Sequence, residues 1–127
     1  MKNPDIFLFF DGHEEQLALY EALEAAIWKE LGEVEIRVQK SQISFYQRHM
    51  FACVSMMPVK KALRRGDTCL VVSLGLGRKI ESPRAAACAQ PHPGRWTNHV
   101  PIYNKDEIDE ELLEWLREAC AFSAAKR

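Results

Sequence analysis

The sequence predicts an α+β fold: a two-layer sandwich of a mainly antiparallel sheet of five or six strands, with the N- and C-terminal helices on one face. Three observations lead there. Apolar residues recur near a 3.6-residue period at Leu17, Tyr20, Leu23, Ile27 and Leu31, and again at Ile108, Leu112, Trp115, Ala119 and Phe122. Between those stretches the period falls to two, as in Val34, Ile36 and Val38. The order helices, strands, helix is that of a sheet covered on one side rather than of alternating parallel units.

The elements follow in order. Asn3-Pro4 is a helix start, and a short helix is expected over residues 4–10, broken by Asp11-Gly12. A second helix is expected over 13–31 and ends at Gly32, where glycine reaches the left-handed conformation without a side-chain clash. Strands are expected over 34–38, 43–46, 50–56 and 68–74. Residues 59–65 read as a helical turn or two, and Gly75 and Gly77 as a loop. Residues 84–90 fit a helix by their alanines and a short strand by their bracketing prolines. A last strand spans 97–103. Pro101 has no amide proton, which places that strand at an edge or on a bulge. The final helix is expected over 105–122, with Asn104 and Glu107 resembling a capping box.

The chain of 127 residues is read as one globular domain over 1–127. With 47% hydrophobic residues it can build a core without staples, and disorder is excluded. Lys+Arg 17 against Asp+Glu 18 leaves a net charge of -1, which argues against a purely electrostatic nucleic-acid module. No run is long enough to span a membrane, and none reads as a secretory leader. Cys53, Cys69, Cys88 and Cys120 are far apart and form no CxxC pair, so they read as buried free thiols in a cytoplasmic protein.

The most distinctive block is Gly94-Arg95-Trp96-Thr97-Asn98-His99-Val100. On a strand, Arg95, Thr97 and His99 share one face, while Trp96, Asn98, Val100 and Ile102 share the other. The apolar set belongs against the helices. Ser44 and Tyr46 then lie on the same open face as Arg95, and Lys40, in the turn 39–42, reaches its rim. A guanidinium, an ammonium, an imidazole and hydroxyls together suit a carboxylate or phosphate, with Arg95 as the bidentate partner. The competing reading is an ordinary polar sheet face on which Arg95 pairs with an acidic side chain.

Lys60, Lys61, Arg64 and Arg65 form the only basic cluster, suited to phosphates or to a solvated helix end. No HExxH, GxSxG or P-loop pattern occurs, and His13-Glu14-Glu15 reads as an ordinary helix start. Ser44 and His99 make a conceivable nucleophile–base pair, but no acid is placed to orient the histidine. No metal site and no cofactor are expected.

Taken together, Lys40-x-x-Ile43-Ser44-Phe45, Phe51-Ala52-x-Val54, Ser82-Pro83-Arg84, the 94–100 block and Glu110-Glu111-Leu112-x-x-Trp115-Leu116-x-Glu118-Ala119 resemble a small bacterial family of unknown function. Its members are often labelled predicted transport protein. The family is similar to compact α+β domains of the YdhG and MmcQ/YjbR kind. The resemblance spans about residues 11–121 and implies Lys40, Ser44, Arg84, Arg95, Thr97 and His99 as the polar set. It implies no activity, and its distant YdhG likeness is the sole pointer to metal handling. The alanine-rich stretch 85–89 and the basic stretch 59–66 depart from the family pattern.

The expectation is therefore a cytoplasmic, non-catalytic binding domain that recognises an anionic group of a small molecule or peptide, with the homodimer left open. Its first rival is a nucleic-acid accessory domain using Lys60, Lys61, Arg64, Arg65 and Arg95. Its second is an enzyme with His99 as acid or base.

Overall fold

The computed structural model describes residues 3–56 and 69–125. Asn3 opens helix α1 (Pro4–Phe9), its side chain accepting from the Asp5 amide at 2.9 Å. Helix α2 (Glu14–Leu31) stops at Gly32, whose φ of 79° is positive as expected, though its ψ of -147° is extended and not left-handed helical. Six strands follow: β1 (Glu35–Val38), β2 (Ile43–Tyr46), β3 (Met50–Ser55), β4 (Leu70–Leu76), β5 (Ala87–His92) and β6 (Arg95–Ile102). Helix α3 (Glu110–Ala124) closes the fold. The strands form one antiparallel sheet in the order β1-β2-β3-β4-β6-β5. The fold is α+β, with an open six-stranded sheet and helices from both ends of the chain on one side.

Two registers across the sheet explain that arrangement. Val38, Ile43, Val54, Val72 and Val100 form one row, and Ile36, Phe45, Ala52 and Leu74 begin the next. Both rows face the helices and join Leu23, Ile27, Leu112 and Trp115 in one hydrophobic cluster. The Tyr20 and Phe45 rings stack at 6.2 Å, which ties α2 to this face of β2. Ile36 and Val38 are only partly buried, because β1 is an edge strand.

One open reading is decided and three local expectations are corrected. Of the two alternatives for residues 84–90 the strand is formed, as β5 from Ala87: Ala86 N–H donates to the His99 carbonyl at 3.0 Å, so pairing with β6 overrides alanine's helix preference. Gly75 lies inside β4 rather than in a loop. β6 is an interior strand, but its end overhangs β5, whose register stops at Ala87 opposite His99. Alternation turns the missing amide of Pro101 toward that unpaired flank. The helix expected over 105–122 is divided, with a 3-10 turn (Lys105–Glu107) under the Asn104/Glu107 capping box and α3 restarting behind the cap of Asp109 on the Leu112 amide at 3.0 Å. The turns expected over 59–65 lie outside the described residues.

The four cysteines are free thiols. Cys69 is buried, whereas Cys53, Cys88 and Cys120 are half-buried. Among the described residues no helix is long and apolar enough to cross a membrane.

Candidate functional site

The sheet face turned away from the helices carries a polar row. Arg37, Ser44, Cys53, Ser73, His99 and Ala87 stand opposite one another in register from β1 to β5. In its middle, Ser73 Oγ lies 2.8 Å from His99 Nδ1. Burial raises the Cys53 thiol pKa, against a hydrogen bond with Ser73 that acts the other way. Cys53, Ser73 and His99 thus stand in line over three adjacent strands, with Ser73 and His99 hydrogen-bonded. Partial burial holds the His99 pKa below the ordinary histidine value, so the ring is neutral near pH 7.

One step along the strands, Gly75 stands opposite Thr97. Arg95 folds its guanidinium onto this glycine: a Cβ built on Gly75 would sit 2.8 Å from Arg95 Nη2. Glycine is used here for close approach and not for backbone freedom, since its φ is not in the left-handed region. Arg95 Nη1 is shut off from solvent and has no hydrogen-bond partner. None of the ion pairs formed by the described residues includes Arg95. Thr97 and His99 are half-buried beside it.

The structure unites Arg95, Thr97 and His99 on one face, as strand alternation requires. It does not bring the other expected residues to them. Ser44 is on the same face but fully buried. Its hydroxyl donates to Gln39 Oε1 at 2.8 Å and accepts from Gln42 Nε2 at 2.9 Å, so the hairpin turn folds over it. Three strand spacings, about 14 Å, separate Ser44 from His99, which removes the Ser44–His99 pair. Lys40 is exposed in that same turn, at the opposite end of the sheet from Arg95. Neither residue is within reach of the cluster.

Arg84 works elsewhere. It bonds Asp109 at 2.9 Å, Glu111 at 3.0 Å and the Glu107 carbonyl at 2.7 Å, and its guanidinium lies 5.6 Å over the Trp115 ring. It fastens the start of α3 to the chain ahead of β5. Lys60, Lys61, Arg64 and Arg65 lie outside the described residues.

Sequence reasoning missed Ser73 and Gly75. Ser73 is a lone hydroxyl within Leu70–Leu76, a strand dense in Val and Leu, and Gly75 is an isolated strand glycine. A strand glycine is itself a signal of close approach by another group. Among the described residues no group of three or more His, Cys, Asp or Glu side chains is arranged to hold a metal ion.

A family model described as Domain of unknown function (DUF5655) matches residues 8–123. This agrees with the resemblance drawn from the 94–100 block at the level of a family of unknown function. No curated protein and no solved structure matches the chain.

Proposed function

We propose, for a chain that belongs to this DUF5655 family of unknown function, that the polar sheet face binds the anionic group of a small molecule or peptide between Arg95 and the Ser73–His99 pair. One observation carries the reading. Arg95 is seated on Gly75 with Nη1 enclosed and unpartnered, and no ion pair joins it to a carboxylate among the described residues. An enclosed donor without a partner costs about 1–3 kcal/mol, which an anion hydrogen-bonded to the seated guanidinium would relieve. Thr97 adds a neutral donor, and neutral His99 leaves Arg95 as the fixed charge. The test is an amide chemical-shift titration with inorganic phosphate and with acetate. Shifts confined to β4 and β6, and lost in Arg95→Ala, support the reading; no shift with either anion overturns it.

The Ser73–His99 bond favours a second reading, an enzyme in which His99 takes the proton of Ser73. It predicts acylation of Ser73 by p-nitrophenyl acetate, detected by mass. An unmodified Ser73 peptide after prolonged exposure ends it.

A further inference from the structure

We infer that the ligand of this face is a phosphomonoester, bound as its dianion, and that His99 takes up a proton when it binds. The inference rests on the anion-binding reading and adds the ligand class. The donors occupy two rows. The Arg95 guanidinium and Thr97 belong to the Gly75 row, and Ser73 with His99 to the next, about 6.5–7 Å along the strands. A carboxylate is satisfied by one arginine fork and leaves the second row unused. A tetrahedral phosphate keeps further oxygens for it.

Charge points the same way. A phosphomonoester carries about −1.5 to −2 at pH 7, and Arg95 supplies a single positive charge. The groups facing His99 are Ser73 and Gly75 on β4, Cys53 on β3 through Ser73, Ala87 on β5, and Thr97 and Arg95 on its own strand. No carboxylate is among these register neighbours, so in the free protein none of them favours the imidazolium, and burial disfavours it. The phosphate supplies the missing negative charge.

The Ser73–His99 bond then reverses. In the Nε2–H tautomer of the neutral ring the Ser73 hydroxyl donates to Nδ1. With a protonated ring Nδ1–H donates to Oγ, and the hydroxyl hydrogen is released to a phosphate oxygen. Protonation of His99 thereby turns Ser73 into a donor toward the ligand. Atoms balance: one proton passes from the buffer acid to Nδ1, forming an N–H bond there as its bond to the buffer breaks, and no bond between heavy atoms changes.

The test is calorimetric titration of the full chain with phenyl phosphate and with benzoate at pH 7.5, in two buffers of different ionisation enthalpy. Phenyl phosphate should bind about tenfold or more tighter than benzoate, with a buffer-dependent heat reporting proton uptake. His99→Asn keeps a polar group toward Ser73, and should abolish the uptake and weaken phenyl phosphate. Ring-nitrogen shifts of His99 in the unaltered protein read the same protonation without a variant. Phenyl phosphate binding without uptake, or benzoate binding equally well, overturns the inference and leaves the anion reading standing. Binding of neither ligand overturns both.

Discussion

Ser73 and His99 stand directly opposite each other on β4 and β6, with Oγ 2.8 Å from Nδ1. This bond joins the strand densest in core residues to the strand carrying Arg95. It places a neutral, partly buried imidazole beside the seat of the Arg95 guanidinium. The opposite face of the same strands is filled by Val72, Leu74 and Val100. Core packing on one side thus holds the polar pair in place on the other.

Arg95→Ala should leave the fold intact and should not lower stability, because the side chain has no ion-pair partner among the described residues and its enclosed, unpartnered donor is removed with it. Phosphate or phenyl phosphate affinity should fall by roughly tenfold or more, as expected for a lost charge-assisted bond. A thermal melt beside the titration checks both. A fall of many degrees in melting temperature would make Arg95 structural.

Gly75→Ala tests the seat itself. The new methyl group would meet Arg95 Nη2 at 2.8 Å, and the flexible end of the arginine must move. Backbone strain is not expected, since φ at Gly75 is not in the left-handed region. Stability should change by less than about 1 kcal/mol, while anion affinity weakens several-fold. Unchanged affinity would show that the seated position of Arg95 is irrelevant to binding.

Ser44→Ala should do the reverse. The hydroxyl is fully buried between Gln39 and Gln42, and its loss should cost about 1 kcal/mol in denaturant unfolding. Anion affinity should not change, because about 14 Å separates this residue from His99. Loss of affinity at full stability would restore Ser44 to the site.

Arg84→Ala should destabilise by about 1–3 kcal/mol, since it strips a carbonyl, two carboxylates and the Trp115 face of their partner. It should also weaken the acid dependence of stability. Burial raises the Asp109 pKa, but the bonds from Arg84 and the Leu112 amide outweigh it and hold the carboxyl below its ordinary value. A depressed folded pKa gives stability that is present above the unfolded pKa of about 3.9 and is lost as pH falls through the folded one. Urea titrations at pH 7 and near pH 3 should therefore differ less in the variant than in the unaltered protein.

His99 acts in the same direction as Asp109, at higher pH. Its folded pKa lies below the unfolded value of about 6.5, so the unfolded chain binds more protons as pH falls into that window. This residue's contribution therefore makes the protein more stable above that window than below it. In His99→Asn the corresponding slope of stability against pH between about 5 and 7 should flatten. An unchanged slope would show that His99 is not held neutral by burial.

Much of the fold is legible in the chain. The 3.6 period marks α2 and α3, and the period of two marks β1, β2 and β6, because side-chain direction follows from local backbone geometry alone. The same geometry places Arg95, Thr97 and His99 on one face. Residues 84–90 resist such reading because propensity and punctuation disagree there, and hydrogen bonds to β6 decide the outcome. Arg84 misleads for a similar reason. Its motif sits near the 94–100 block in sequence, yet its guanidinium is claimed by Asp109 and Glu111 at the start of α3.

By itself the sequence determined the α+β class, the Asn3 cap of α1, the Gly32 stop of α2 and the polar set on β6, all of which depend on residues a few positions apart. Tertiary structure alone decided that β6 lies between β4 and β5, that Ser73 is the neighbour of His99, and that Gly75 receives Arg95. Strand order and register arise when the whole sheet buries its apolar face against α2 and α3 at once. A slip of one residue between β4 and β6 would turn one strand's core residues to the wrong side. Packing of the core therefore selects the partners on the polar face, and those partners are written nowhere in the local pattern.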